Sequence, residues 1–271
     1  MSSIYRGCAR VCKHWQAVAR DHVSVGGDLR VVLSFSSPDP AARIRSFLKV
    51  PWLGACRALA IVSLYSQYVA LAGGLASKLG DRLYELYIKC DGATDSLHWA
   101  STESVVHSVA LNCGNLVALT ISCLISANSL RHLLLQLPAL RTLCIPNNAK
   151  ARNTSLGMEL CTHGTALINL KCPVWCLAGL RASPKLGMQS VMCLSLDCTR
   201  AEKTNILTLL QHCQFAPKTL QYLRLTCCIL GEGQLASLAK VYPRTRLALR
   251  DCVLSTLSHP VSMVIMEQIK H

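Results

Sequence analysis

Sixteen cysteines and nine histidines are the residues of this 271-residue chain that could bind a metal ion or act as nucleophiles. Zinc sites need paired ligands at short, fixed spacings, and the cysteines here never form two CxxC pairs. The HExxH, GxSxG and GxxxxGK[ST] patterns of hydrolases and nucleotide-binding enzymes are also missing. We therefore expect no metal, no cofactor and no enzyme; a Cys–His nucleophile, whose partners need not be close in sequence, is the remaining alternative. The cysteine pairs considered are Cys8/Cys12, Cys172/Cys176, Cys193/Cys198 and Cys227/Cys228.

The composition favours a folded chain that interacts with anions. Hydrophobic residues make up 51% and charged residues 15%, which excludes a largely disordered chain. The formal net charge of +14 at pH 7 favours anionic partners. Residues 1–15 lack the apolar run of a signal peptide, so we expect reduced thiols and a cytoplasmic or nuclear protein. Polar residues interrupt the two long uncharged stretches, 58–77 and 104–130, so no membrane span is expected.

A short apolar pattern recurs along most of the chain. An apolar residue stands at i, i+3 and i+5, and Cys or Asn follows at i+7 or i+8, as in LYELYIKC from Leu83. Long and short spacings alternate between nine copies, and the four short spacings are 24 residues each. Scattered leucines would not return at such regular intervals. The copies start at Arg30, Leu59, Leu83, Leu116, Leu140, Leu167, Val191, Leu220 and Arg244.

This spacing predicts short strands with two unlike faces. Side chains at i+3 and i+5 point to one face of a strand, and those at i+2, i+4 and i+6 point to the other. We expect the first face to be core and the second to be open. The chain then turns, and a buried Cys or a hydrogen-bonding Asn fits against the turn. That place is assigned to Cys90, Cys123, Asn148, Cys172, Cys198, Cys228 and Cys252.

The segments between the strands have helical periodicity. Residues 129–137, 204–212 and 233–240 are apolar on one face. Pro138, Pro217 and Pro243 follow them and end each helix before the next strand. Parallel strands that alternate with helices predict an α/β curved solenoid, with strands on its concave side and helices on its convex side. The strands are expected near Leu33, Val62, Leu86, Leu119, Leu143, Leu170, Leu194, Leu223 and Leu247.

The pattern resembles the leucine-rich repeat, L-x-x-L-x-L-x-x-N/C-x-L, in its cysteine-containing form, over roughly residues 29–255. The resemblance implies a repeat domain that binds proteins rather than catalysing a reaction. We assign residues 25–271 to this domain, with about nine repeats, and residues 1–24 to a separate helical segment.

Residues 4–21 do not fit the repeat but are amphipathic at helical spacing. One interpretation is a cap on the open end of the solenoid. The stretch ARVCKHWQAVARD at residues 9–21 also resembles the last helices of an F-box, whose consensus there is close to V-C-K-x-W. The match begins after the Leu-Pro helix with which an F-box starts. The resemblance implies that Val11, Cys12 and Trp15 pack a small helical domain on the side of an adaptor protein.

An F-box followed by leucine-rich repeats is the arrangement of some ubiquitin-ligase substrate receptors. The resemblance therefore implies a substrate-recognition subunit of a Skp–cullin–F-box ubiquitin ligase, with a Skp-type adaptor at its N-terminal helices and a protein substrate on its concave face. The alternative is a repeat scaffold or inhibitor without a role in ubiquitination. We expect no membrane partner and no specific nucleic acid.

The open strand face carries the candidate binding residues. The pattern assigns Ile61 and Ala248 to this face, and it gathers arginines and a tyrosine near the C-terminus. Tyrosine and arginine are enriched at interface hot spots. Strands about 4.8 Å apart would bring three guanidinium groups into one patch that suits an acidic or phosphorylated segment, whereas a merely solvated basic face is the alternative. The candidate partner-binding residues are Tyr87, Lys89, Lys171, Tyr222, Arg224, Arg246 and Arg250.

Overall fold

The computed structural model describes ten segments of the chain, and they form two compact units. The first unit comprises Met1–Ile125 with Gln136–Ala139, and the second comprises Ser126–Leu135 with Leu140–His271. The N-terminal segment lies outside the described residues, as do Cys123 and Asn148. The segments are 29–34, 40–49, 56–64, 69–90, 96–122, 125–145, 155–177, 187–199, 205–254 and 260–265.

Within its described segments, the first unit contains four strands that alternate with three helices. In chain order they are β1 (Leu29–Ser34), α1 (Pro40–Leu48), β2 (Cys56–Leu64), α2 (Val69–Leu79), β3 (Glu85–Cys90), α3 (Ser96–Asn112) and β4 (Ala118–Ser122). Each strand pairs with the next in parallel: β1 with β2, β2 with β3 and β3 with β4.

The second unit continues the alternation and ends on an antiparallel strand. Its elements are α4 (Ala127–Gln136), β5 (Thr142–Cys144), α5 (Ser155–His163), β6 (Asn169–Pro173), β7 (Cys193–Asp197), α6 (Ile206–His212), β8 (Tyr222–Thr226), β9 (Ile229–Leu230), α7 (Glu232–Val241), β10 (Arg246–Leu254) and β11 (Pro260–Ile265). Strands β5, β6, β7, β8 and β10 are parallel neighbours. The short β9 also pairs with β10 in parallel, and β11 is antiparallel to β10.

These elements confirm the predicted strands and helices. All nine predicted strand centres lie within observed strands, from Leu33 in β1 to Leu247 in β10. The three predicted helices correspond to α4, α6 and α7. Helix α6 begins at a side-chain cap, because Asn205 accepts a hydrogen bond from the backbone N–H of Thr208 at 3.1 Å.

The apolar positions of the pattern form the core of each unit. Leu194 and Leu196 of β7 are fully buried, and so is Leu225 of β8. Parallel pairing places Leu194 beside Leu223, so equivalent leucines of successive repeats lie in continuous rows. Each buried methylene contributes about 0.8 kcal/mol, and a single repeat could not bury these faces alone.

A tight turn fixes the first apolar residue of four repeats in the described segments. The backbone N–H of Leu83 donates to the carbonyl of Gly80 at 3.1 Å, and that of Leu116 donates to Cys113 at 2.9 Å. Gly80 has φ +49°, a left-handed conformation that glycine adopts without strain. Because this residue is anchored, the alternation of faces along each strand starts from a fixed point. The same turn precedes Leu167 and Val191.

The second repeat starts three residues earlier than the pattern predicts. Leu59 pairs with Leu86 and Ile61 with Ile88, so Cys56 rather than Leu59 takes the first position. The assignment of Ile61 to the open face is therefore wrong, and its side chain is fully buried. An odd shift exchanges the two faces of a strand because its side chains alternate. Residues 59–64 have apolar side chains at both odd-numbered and even-numbered positions. The alternation of apolar and polar residues therefore could not show which face of this strand is buried.

The first repeat is displaced by an even number of residues. Val31 pairs with Leu59, which places the start of this repeat at residue 28 rather than at Arg30. The two faces of β1 keep their assignment because a shift of two residues preserves the alternation.

One assignment in the second unit is also wrong, and one residue of the open face is covered by its neighbours. Cys172 pairs with Leu196, so it occupies the core position i+5 rather than the turn. Ala248 is 4% exposed although it belongs to the open face by register, because its small side chain lies between β8 and β11, where Val264 is opposite. The repeat pattern predicts neither β9 nor β11, since neither belongs to one of the nine copies.

Three turn cysteines lie side by side beyond the ends of β7 and β8 and within β10. The Sγ atoms of Cys228 and Cys252 are 3.1 Å apart, and Cys198 is hydrogen-bonded to Cys228 on the other side. All three are buried and unoxidised. The hydrogen bond with Cys198, together with burial, raises the pKa of Cys228 to about 12. Cys228 therefore stays protonated at neutral pH and packs as a small apolar group.

The uncharged stretches are divided among these elements. Residues 58–77 contribute to β2 and α2, and residues 104–130 contribute to α3, β4 and α4. Among the helices that the structure describes, none has the length and apolarity to cross a membrane.

We expect Cys198→Ser to lower the free energy of unfolding by about 1–3 kcal/mol, because it buries a hydroxyl whose hydrogen bonds are poorly satisfied. Urea unfolding measures the change. Cys198→Ala is the matched control, since it removes the sulfur without adding a hydroxyl, and it should cost less than serine. A serine variant as stable as the native chain would contradict the burial of Cys198 beside the other two turn cysteines.

Stability should fall as the pH rises from about 9 to about 12. Burial raises the pKa values of Cys113 and Cys176 to about 12, whereas unfolded thiols ionise near 9. The folded chain then binds more protons than the unfolded chain, so the free energy of unfolding decreases with pH. Urea unfolding under reducing conditions should show Cys113→Ala with a slope shallower by up to about 1.4 kcal/mol per pH unit. An identical slope would mean that this thiol ionises normally in the folded chain.

Candidate functional site

The open face of the second unit consists of the strand side chains that alternate with the buried ones. Parallel register arranges them in rows that cross the strands. One row runs through Cys193, Tyr222 and Arg246, the next through Ser195, Arg224 and Ala248, and the last through Asp197, Thr226 and Arg250.

Arg224 and Tyr222 are joined on the open face of β8. They are two residues apart, so their side chains leave the strand on the same side. The guanidinium carbon of Arg224 lies 5.6 Å from the centroid of the Tyr222 ring. Its Nε and Nη2 atoms donate to the Tyr222 hydroxyl at 3.2 and 3.0 Å. These contacts hold the guanidinium in place before any partner binds.

Arg246 supplies a second cation beside the same tyrosine. It lies directly across from Tyr222 on β10, where neighbouring strands are about 4.8 Å apart. Both Arg246 and Arg224 are exposed, and Tyr222 is half-buried. Tyr222 therefore has one arginine along its own strand and one across it, within reach of a single anion.

Arg250 belongs to a different electrostatic environment. It stands four residues beyond Arg246, which is about 13 Å along an extended strand. Its Nε is 3.4 Å from Asp251 Oδ2, and both side chains are exposed. An exposed pair of this kind contributes about 0–1 kcal/mol, but it offsets the local charge. Asp197 lies in the same row as Arg250, so this end of the face carries both signs.

Lys171 extends the positive potential without joining the arginines. It shares a row with Ser195 and Arg224, two strands away from Arg224, and is exposed. A separation of about 10 Å lets it attract an anion but not share one with Arg224.

The open face of the first unit is less charged. Tyr87 is 37% exposed in a row with Ala60 and Thr120. Arg30 Nη2 and Glu85 Oε1 form an ion pair at 3.3 Å, so these two charges offset one another.

The structure thus brings three of the predicted partner-binding residues together: Tyr222, Arg224 and Arg246. Arg250 and Lys171 lie on the same open face at a distance. Tyr87 and Lys89, both on β3, belong to the first unit. The adaptor-side residues Val11, Cys12 and Trp15 lie outside the described segments.

The repeat pattern did not predict that Asp251 pairs with Arg250 or that it adopts an unusual backbone conformation. Register shifts between Leu249 and Cys252, and Asp251 adopts φ +52°, which is a left-handed conformation. Cys227, at the equivalent place in the preceding repeat, has φ +55°. Asp is enriched in this conformation, so an aspartate just before the turn cysteine is the signal that could have revealed the irregularity.

Several buried thiols suit packing rather than nucleophilic chemistry, whereas the hydrogen bond with Cys213 lowers the pKa of Cys161. Burial raises the pKa of Cys172 well above its usual value, which keeps the sulfur protonated. In the described segments, no group of three or more His, Cys, Asp or Glu side chains could hold a metal ion.

Comparison with known proteins identifies the architecture. No protein-family model matches the chain, and no curated protein sequence matches it. The chain is similar to the crystal structure of the leucine-rich repeat-containing protein LegL7 from Legionella pneumophila, with a TM-score of 0.50 and 13% sequence identity. The match covers 84% of this chain and 72% of that one. The chain has the α/β leucine-rich-repeat fold. At this identity the likeness concerns the fold alone.

The contact between Arg224 and Tyr222 should appear as an energetic coupling. A double-mutant cycle with Tyr222→Ala and Arg224→Ala, measured by urea unfolding, should give a coupling of about 0.5–1 kcal/mol. The matched cycle at Arg250 and Asp251 should give a smaller coupling that disappears at high salt, because that pair is ionic and exposed. Purely additive changes at Tyr222 and Arg224 would show that the two side chains do not hold one another.

Proposed function

We propose that the chain is a protein-interaction module that binds its partner through the open face of its strands. The observation that carries the proposal is the placement of Tyr222 between Arg224 and Arg246 on an exposed sheet face. Tyrosine and arginine are the residue types that most often dominate binding energy at protein interfaces. The opposite face of each strand supplies the core, so these exposed side chains are not required to fill it.

Binding is favoured over catalysis by the thiols whose pKa is raised. The cysteines that burial keeps protonated, Cys172 and Cys176 among them, are poor nucleophiles. The leucine-rich-repeat fold hosts many unrelated partners, so the partner must be inferred from the side chains of the open face.

A finer proposal is that the module recognises substrates for a Skp–cullin–F-box ubiquitin ligase. The support for it is the sequence of residues 9–21, which resembles the last helices of an F-box and precedes the repeats. In this proposal Val11, Cys12 and Trp15 pack the helices that face a Skp-type adaptor. The protein would act in the cytosol or nucleus, where its thiols stay reduced.

Two variants of the full chain separate adaptor binding from partner binding. Trp15→Ala should abolish capture of a purified Skp-type adaptor but leave proteins captured from cell extract through the open face unchanged. Tyr222→Ala combined with Arg246→Ala should do the reverse, because the two sites use different residues. Quantitative mass spectrometry of the captured proteins, with purified adaptor added, measures both.

The pattern of losses decides between the candidate functions. A native chain that captures a partner through Tyr222 but never the adaptor would support a scaffold or inhibitor without a role in ubiquitination. Captured proteins that are the same for the native chain and the Tyr222→Ala, Arg246→Ala variant would contradict the open face as the binding surface.

A further inference from the structure

We propose that Tyr222, Arg224 and Arg246 form a binding site for a phosphorylated side chain of the partner protein. These three residues are called the phosphate site below. The inference rests on the proposed function, because it requires a partner segment that lies on the open face of β8 and β10.

The charge of the phosphate site matches a dianion better than a carboxylate. Two exposed guanidinium groups flank one tyrosine and repel one another until an anion binds between them. A phosphoryl group carries a charge of about −1.5 to −2 at pH 7 and three acceptor oxygens, so it can pair with both cations at once. A carboxylate has one negative charge and fits a single guanidinium fork, which would leave the second arginine unneutralised.

The hydrogen bonds of Tyr222 add a third contact. Its hydroxyl oxygen accepts both bonds from Arg224, at 3.2 and 3.0 Å. The hydroxyl proton can then be donated to a phosphoryl oxygen. Because Arg224 is already held against the ring, less side-chain freedom is lost when the anion binds.

The surroundings of the phosphate site favour one compact anion over a polyanion. A nucleic acid strand needs successive cationic and aromatic contacts along its backbone. Here the row beyond Arg224 contains Asp197, and Asp251 lies beside Arg250. These carboxylates would repel a strand of phosphates that continued along β8 and β10, whereas a single phosphoryl group at the phosphate site stays clear of them.

Peptide libraries test the proposal on the full chain. The probes are fluorescent peptides with randomised flanks and a fixed central residue: phosphoserine, phosphotyrosine, serine, tyrosine or glutamate. Fluorescence anisotropy should show at least one phosphorylated library binding about tenfold or more tighter than the glutamate library. Arg224→Gln with Arg246→Gln should weaken that binding by about 10- to 100-fold, the range expected when charged hydrogen bonds are lost.

The matched control removes the same charge elsewhere in the second unit. Lys218 and Lys240 are exposed and lie outside the open face, so Lys218→Gln with Lys240→Gln should change the affinity less than about twofold at physiological salt, where screening acts over about 8 Å. Arg224→Lys, which keeps the charge but loses the planar fork, should bind with intermediate affinity. Circular dichroism of each variant shows that the chain remains folded.

Several outcomes would overturn the proposal. Equal losses from the arginine and lysine variants would show that only net charge matters. Equal affinity for the glutamate and phosphorylated libraries would show an unspecific anion site, and tighter binding of a single-stranded RNA of similar length would indicate a nucleic acid partner. Partner capture that requires Tyr222 but survives phosphatase treatment would overturn the phosphate site while leaving the proposed function intact.

Discussion

Each repeat depends on its neighbours to bury the same three side chains. The first apolar residue and the two that alternate along the strand, such as Leu220, Leu223 and Leu225, are covered only when adjacent repeats stack in parallel register. Burial therefore fixes the register. A slip of one residue would place Leu223 in water and move Arg224 into the core, where an unpaired charge is far more costly than the lost apolar contact.

The candidate binding surface is a consequence of this register. Because side chains alternate along a strand, Tyr222 and Arg224 lie on the same face of β8. The parallel pairing of β8 with β10 places Arg246 beside them. The same rule keeps thiols such as Cys228 and Cys252 inside, where a hydrogen bond with Cys198 and burial raise the pKa of Cys228, and a hydrogen bond with Cys228 and burial raise that of Cys252. One constraint thus separates the residues that hold the repeats together from the residues that are available to a partner.

Sequence periodicity predicted the buried face of a strand correctly where apolar residues occupy only alternate positions. It failed where apolar residues occupy consecutive positions, because either face could then be the buried one. Leu223 stands between Tyr222 and Arg224, and Leu225 between Arg224 and Thr226, so their frame is unambiguous. Around Ile61 the strand is apolar at both parities, and Cys56 replaces the first leucine, so only pairing with β3 reveals the frame. The arginines of the site follow from alternation, but the contact of Arg224 with Tyr222 depends on side-chain rotamers, which no sequence pattern specifies.

Hydroxyl-radical footprinting with mass spectrometry tests the register most directly. The reaction rate of each side chain, relative to the same residue in the urea-unfolded chain, reports its exposure on β8. We expect Tyr222 to be readily oxidised, whereas Leu223 and Leu225 on either side of Arg224 should be protected. Oxidation of Leu223 and Leu225 at their unfolded rates, with Tyr222 protected, would mean that the opposite face is buried and would contradict both the core and the site.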